Sequence, residues 1–279
     1  MTETAARREH NASNPTTLSS DVTHWLDRHW DSDLTLVEWR GRLVEDGWAM
    51  PSWDARWGGR DLPPWADDMV RREIRRYGAV GIPPGAGTAL AGPTIVADAT
   101  DDLKDRFLRP ILTGEESWCQ LFSEPGAGSD LAGLTTRALC DGDRWIIDGQ
   151  KVWSTSAHYA DFGMLLARTD WEAPKHRGLT FFILPMRQPG VEVRPLRQMN
   201  DYSSFNEVFL TAAEVPLDWV VGEVNRGWDV ALTTLAHERR FRGNGGRPPQ
   251  GSGRALEEAR LESARYAATY SWYPQRAGR

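Results

Sequence analysis

The sequence predicts an α+β fold in which a helical stretch, an all-β stretch and a second helical stretch follow one another. Three observations carry that expectation. Between Asp21 and Ser117 apolar residues recur three and four apart; past Trp118 short β-branched and aromatic runs alternate with turn residues; and the helical spacing returns at "NRGWDVALTTLAHERRF". Strands and helices are segregated, which argues against a βαβ architecture.

The first helix is expected in "DVTHWLDRHW", with Asp21 as its N-cap and Val22, Trp25, Leu26 and His29 on one face. In "TLVEWRGRLVEDGWA", Leu36, Trp39, Leu43 and Val44 form a second stripe that stops at Gly47. "DDMVRREIRRYGAV" and "DDLKDRFLRPILTG" repeat the pattern, and Pro110 is expected to break the latter. The glycines and prolines of "PSWDARWGGRDLPP" mark a loop. Residues 1–20 have no apolar periodicity and read as a disordered tail.

In "DRWIIDGQKVWST" two β-type runs flank Asp148-Gly149, a dipeptide that favours a hairpin turn. "DFGMLLART", "GLTFFILPM", "GVEVRPL" and "NEVFLTAAEVP" read as further strands. After the next helix comes "RGNGGRPPQGSGR", a glycine- and proline-rich linker, and then one more helix ending before Pro274. A lone helix beyond a linker has no core of its own and needs a partner surface. The expected divisions are a tail at 1–20, a helical domain at 21–117, a β domain at 118–222 and a helical stretch at 223–279.

Hydrophobic residues make up 40% and charged residues 26% of the 279, the balance of a globular chain long enough for two domains. The net charge of −6, with both signs interspersed, argues against nucleic acid or an anionic membrane as partner. No apolar run approaches the ~20 residues needed to cross a bilayer. Cys119 and Cys140 have neither metal-ligand spacing nor a disulfide framework around them. Together with an amino terminus that lacks the apolar core of a secretory signal, they point to the cytoplasm.

The most unusual stretch is "WCQLFSEPGAGSDLAG", whose loop Ser123–Asp130 is too polar for a core. Gly126-Ala127-Gly128 opens no long helix, so the dinucleotide fingerprint fails, and no Gly-Lys-Ser/Thr follows, so a P-loop fails as well. A glycine-flexed loop with bare N–H groups and the Ser123 and Ser129 hydroxyls can cradle phosphate oxygens. A flavin and a plain tight turn are the other two readings of these residues.

Three segments in the same order, "CQLFSEPGAGSDLAGLTTRA", "WIIDGQKVWST" and "VNRGWDVALTTLAHERR", resemble the acyl-CoA dehydrogenase family. The resemblance covers roughly Trp25 to Arg242 and, more loosely, the last helix. It implies a helical N-terminal domain, an antiparallel β-barrel-like middle domain and a C-terminal helical bundle. Of that bundle only the first helices are matched, with roughly ~100 residues, a domain's worth, unmatched. A truncated subunit of this kind would bind FAD poorly, need a full-length partner to supply the bundle, or be inactive.

The same resemblance implies FAD as cofactor and an acyl-CoA thioester as substrate. Gln120, Phe122 and Ser123 would line the pyrimidine end of the flavin, and Ser129 would reach the pyrophosphate or the acyl-CoA. Trp153 would lie against the isoalloxazine, and Thr155 would donate to its reactive nitrogen. Taken by itself, Trp153 fits an ordinary cross-strand aromatic equally well. The chemistry implied is α,β-dehydrogenation, which requires a carboxylate beside the α-carbon. A minority of the family carries that base as the Glu of a Glu-Arg pair in the first helix after the β domain. Glu238-Arg239 matches it, with Glu238 as candidate base and Arg239 as a substrate-positioning residue. The bland reading is a surface Glu238–Arg242 pair, and for His237 a solvated face. Implied partners are an electron-transferring flavoprotein or similar acceptor and further subunits in a homo- or hetero-oligomer. An acyl-CoA oxidase or a monooxygenase on the same fold is the related alternative.

Overall fold

The computed structural model describes residues 14–199, 203, 205–240 and 250–268. It divides into two compact units, one built from stretches at 1–83, 105–115 and 245–263 and the other from 84–104, 116–244 and 264–279.

The first unit is helical. Helix α1 spans Pro15–His29 and starts seven residues earlier than its apolar stripe suggests. Asn14 caps it through Oδ1, which accepts from the Thr16 N–H at 2.9 Å, and Pro15 fits the first helical position. Asp21, the expected cap, is an exposed residue inside the helix, and Leu18 joins Val22, Trp25 and Leu26 in the core. The remainder of the expected tail, before Asn14, lies outside the described residues. Helix α2 spans Leu36–Glu45 and opens with a reciprocal capping box between Thr35 and Glu38. Helix α3 spans Trp65–Tyr77 and stops at Gly78, whose φ of 92° only glycine adopts freely.

The core of this unit is dense in indoles. Trp25 lies 5.6 Å from Trp39 and 6.4 Å from Trp48, centroid to centroid. Trp39 donates its Nε1–H to the Val80 carbonyl at 2.6 Å, whereas the buried Trp48 Nε1 has no protein partner. Beside it Arg40 is 2% exposed, donating to the carbonyls of Gly81 and Thr113. Its two terminal nitrogens grip both carboxylate oxygens of Glu262, at 2.8 and 2.6 Å. Glu262 belongs to the last helix described, Arg254–Ala268. That helix is also tied to this unit through Glu258, which accepts from the Leu36 N–H, and through Ala255, which donates to the Ser32 carbonyl. The lone helix therefore has its partner surface on α2; most of the linker before it, residues 241–249, lies outside the described residues.

Pro110 does not break its helix, which runs Asp101–Thr113 with the proline inside. A proline removes one N–H, but Phe107, Leu108, Ile111 and Leu112 are at most 1% exposed and hold the turn by burial. The Thr113 hydroxyl also lies on the carbonyls of Arg109 and Pro110.

The second unit is a sheet with short helices against it. Its strands are β1 Trp118–Leu121, β2 Arg137–Asp141, β3 Arg144–Lys151, β4 Phe162–Arg168, β5 Leu179–Pro185, β6 Val191–Leu196, β7 Phe205–Pro216 and β8 Val220–Val221. The order across the sheet is β6-β7-β3-β2-β4-β5-β8, with β1 beside β4. Among the described residues β4 pairs parallel with β1 and β2, and the other ladders are antiparallel. Cys119, Leu121, Ile147, Leu165, Phe182 and Val208 are fully buried in its core.

The hairpin joining β2 and β3 turns at Asp141–Arg144, through the earlier Asp-Gly of the chain, with Gly142 at φ 63°. Asp148-Gly149 is not a turn. It lies within β3, where the register against β7 slips between Ile147 and Gly149 and the Asp148 carboxylate accepts from the Ala212 N–H at 2.9 Å. Glycine is required at 149 by proximity: a Cβ there would stand 2.4 Å from Thr136 Oγ1 and 2.7 Å from Thr136 Cα.

A π-helical turn at Gly87–Ala91 runs into helix Gly92–Asp98, and across from it lies helix Gly227–Arg240. The Thr94 and Thr234 hydroxyls meet between the two at 3.0 Å, both residues buried. Gly227 lets its helix start directly on β5, because a Cβ there would meet the Phe181 and Thr180 backbone at 2.5 Å. No helix among the described residues is long and apolar enough to cross a membrane.

Gly149→Ala is expected to lower stability by about 1–3 kcal/mol through overpacking against Thr136. Urea unfolding of the two proteins checks this; equal midpoints would show that the contact relaxes freely.

Candidate functional site

The loop after β1 is a tight turn with a fixed base. Glu124 and Ala127 exchange both backbone hydrogen bonds, at 2.9 and 3.1 Å, leaving Pro125 and Gly126 at the tip. Neither Gly126 nor Gly128 has a positive φ, and nothing stands within 4 Å of where a Cβ would be. The protein's own packing therefore gives no reason for glycine at either position, and open space adjoins the bare backbone there. Ser129 is exposed and Ser123 half-buried beside this space.

Beneath the turn sits a buried ion pair. The Glu124 carboxylate, 6% exposed, accepts from the Thr135 N–H at 2.7 Å, the Thr135 hydroxyl at 2.9 Å, the Thr136 N–H at 2.9 Å and Lys151 Nζ at 2.9 Å. Lys151 is fully buried and donates also to the carbonyls of Phe122 and Leu166, at 3.0 and 2.8 Å. Burial opposes the charge on Glu124, but the Lys151 ammonium and the threonine donors prevail and hold its pKa down to about 2. For Lys151 burial prevails over the attraction of Glu124, and the pKa falls to about 8.

A second buried cation secures the far end of the loop. Arg168, 6% exposed, donates to the carbonyls of Leu134 at 3.2 Å and Ala132 at 2.7 Å, and its backbone N–H donates to Thr136. Its pKa is lowered by burial, against the pull of Glu124 and Asp170.

The segment after β3 is joined to the same loop, since the Val152 N–H donates to the Ser123 carbonyl at 2.9 Å. Asn206 then holds Ser154 by three hydrogen bonds, two between backbones and one from Nδ2 to the Ser154 carbonyl. Between these fixed neighbours Trp153 has φ 61° and is 54% exposed, its ring edge-on to Phe205 at 5.5 Å. A bulky residue in the left-handed region costs about 1–3 kcal/mol and persists where the surroundings impose it. Ser154 Oγ is buried and has no protein partner, and Thr155 beside it is half-buried.

Two sequence-derived residues come into direct contact. Gln120, on β1, donates from Nε2 to Glu238 Oε2 at 3.3 Å. Glu238 and Arg239 lie in the last turn of helix Gly227–Arg240 and are exposed; Glu238 projects into no apolar pocket of the described unit. The alternative partner Arg242 lies outside the described residues. His237 is half-buried rather than on a solvated face, and its pKa is lowered by burial and by Arg240, with Asp98 opposing. Phe122 differs from its expected role in one respect. It is 4% exposed with its ring edge-on to Phe181 at 5.7 Å, so only its backbone is available to a ligand.

Sequence reasoning missed Glu124, Lys151, Arg168 and Asn206. The first two stand inside the two diagnostic motifs, but nothing in a single sequence pairs residues 27 positions apart. An unexplained acid in one glycine-rich motif and an unexplained lysine in the other was the available signal.

Comparison with known proteins gives this arrangement its family. Residues 17–115 match the acyl-CoA dehydrogenase N-terminal domain and residues 119–212 the acyl-CoA dehydrogenase middle domain. The chain belongs to the acyl-CoA dehydrogenase family, whose members generally use FAD. Acyl-CoA dehydrogenase FadE34 of Mycobacterium tuberculosis is 46% identical over 197 residues, covering 71% of this chain and 27% of that protein. Acyl-CoA dehydrogenase IpdE1 of the same organism is 42% identical over 201 residues, 72% of this chain and 52% of that one. The chain thus spans about half or less of the length of these relatives. Among solved structures, the steroid ACAD Tcur3481-Tcur3483 superposes with a TM-score of 0.61 at 32% identity, over 84% of this chain and 62% of that chain. The ChsE4-ChsE5 complex from Mycobacterium tuberculosis does so with a TM-score of 0.60 at 30% identity, over 85% and 60%.

The ion pair makes an acid-side prediction. The folded-state pKa of Glu124, about 2, lies below its ordinary 4.5. Its contribution to stability is therefore complete above pH 4.5 and is lost as pH falls toward 2. Thermal melts across that range should show a decline for the parent protein that Glu124→Gln flattens; parallel declines would contradict the assignment.

Proposed function

We propose that this chain carries the flavin-holding part of an acyl-CoA dehydrogenase, and that its reaction places a double bond between the α and β carbons of an acyl-CoA thioester. When bound, FAD supplies the acceptor for the two electrons and the β-hydrogen. The residues present suit such a group: open space over Gly126 and Gly128, the unpartnered Ser154 hydroxyl, and Trp153 held outward in an unfavourable backbone conformation. Gln120, Ser123 and the Phe122 backbone would hold its pyrimidine end, Ser129 the pyrophosphate or the acyl-CoA, Trp153 the ring face and Thr155 the reactive nitrogen.

Glu238 removes the α-proton, and Arg239 positions the thioester. The observation that carries this reading is the Gln120–Glu238 hydrogen bond, which puts the base beside the residue leading into the flavin loop. The Gln120 amide donates to the Glu238 carboxylate and orients it. Glu238 is exposed in the absence of substrate, and an acyl group lying over it would exclude water from the carboxylate. An electron-transferring flavoprotein or a similar acceptor would be the partner that takes up the electrons.

A second reading has support of its own. Tcur3481-Tcur3483 and ChsE4-ChsE5 are each named as pairs, and the base here is uncovered within its own unit. In this reading the chain is one subunit of a hetero-oligomer and a paralogue completes the acyl pocket.

The purified protein should be yellow and should bleach with a matching acyl-CoA from a panel of fatty, branched and steroid-derived thioesters. Glu238→Gln should leave flavin content unchanged and slow that bleaching by about 10²–10⁴-fold. Undiminished bleaching would remove Glu238 from the role. Bleaching that appears only after adding a co-expressed paralogue would favour the second reading.

A further inference from the structure

Two buried cations sit at the two feet of one loop, and neither is used by the chemistry above. Lys151 holds the entering foot through the Phe122 carbonyl and the Glu124 carboxylate, and Glu124 in turn holds the Thr135 and Thr136 N–H groups. Arg168 holds the leaving foot through the Ala132 and Leu134 carbonyls. The stretch between them contains Gly126, Gly128 and Ser129, where open space adjoins the backbone.

A glycine-bearing loop of this length is flexible on its own account and would lose that freedom on gripping a ligand, at a cost in affinity. Ordering it in advance moves the cost to folding. A buried charge is an inefficient stabiliser, since desolvation consumes much of the Coulomb gain. It is an effective locator: removing one partner leaves the other charged and unpaired, so alternative loop positions are penalised.

We propose that Lys151, acting through Glu124, and Arg168 are positioning residues that preform the Ser123–Leu134 loop as a rigid cradle for an anionic cofactor. The cradle's backbone, not these side chains, meets the ligand. That the ligand is FAD rests on the reading above; that the loop is clamped before any ligand arrives does not. The charged groups facing the clamp are Glu124 and Lys151 on each other, Glu124 on Arg168, and Asp170 on Arg168.

The test uses the full chain, Lys151→Met, and the near-isosteric neutral pair Glu124→Gln/Lys151→Met, which keeps the unit folded if the single variant does not. Amide hydrogen exchange is followed at Glu124, Ala127, Thr135 and Thr136 without cofactor, and FAD binding to the apoprotein by fluorescence quenching. The proposal expects exchange at those amides to rise at least tenfold in the variants while the β4–β5 amides are unchanged. It also expects FAD affinity to fall at least tenfold. Loop protection equal to the parent's, or unfolding of both variants, would overturn it, the latter by making the pair a staple of the whole sheet. Should the parent bind no FAD, the functional reading fails, and loop exchange still decides whether the clamp exists.

Discussion

The Glu124–Lys151 ion pair is the constraint on which the rest of the second unit's surface depends. It joins the turn after β1 to the end of β3, and through the Leu166 carbonyl it reaches β4 as well. Each charge is satisfied almost to its full capacity: four donors on the carboxylate and three acceptors around the ammonium. That completeness makes the burial tolerable, because an ion pair with missing partners in a dry core is worse than none. The threonines at 135 and 136 belong to the same network, and Gly149 belongs to it indirectly, because only a residue without a Cβ lets β3 lie so close to Thr136.

From that anchor the surface features follow by covalent connection. Val152 is bound to the loop, Ser154 to Asn206, and Trp153 between them has no choice but the left-handed conformation that turns its ring outward. The candidate base arrives by a different route. Its helix is seated on β5 at Gly227, fastened at midlength by Thr234 against Thr94, and ends with Glu238 touching Gln120. A rigid sheet thus presents loop, indole and carboxylate from three separate elements, as precise binding geometry requires.

Reading the chain alone succeeded where the signal is local. Apolar spacing located the helices of the first unit, and short apolar and β-branched runs bounded by turn residues located β4 through β7, because both signals are written along the chain itself. It failed where a local signal was outweighed. Asn14-Pro15 starts the first helix before Asp21 because the cap and the fixed proline φ are both satisfied there. Pro110 is carried through by the burial of Phe107, Leu108, Ile111 and Leu112. Two Asp-Gly pairs occur within ten residues; strand pairing selects Asp141-Gly142 for the turn and consigns Asp148-Gly149 to a bulge.

What the sequence determined by itself was the order of elements, the family through three segments in order, and the glycine-rich, polar character of the loop after β1. These are properties of contiguous stretches. Only the tertiary structure decided that an acid in one motif and a lysine in the other neutralise each other, that Arg168 closes the loop's far foot, and that the Phe122 ring is spent on the core. It alone brought Gln120 to Glu238, 118 residues away. The reason is that burial, desolvation and charge pairing depend on distance in space, and a linear chain encodes those distances only through the fold.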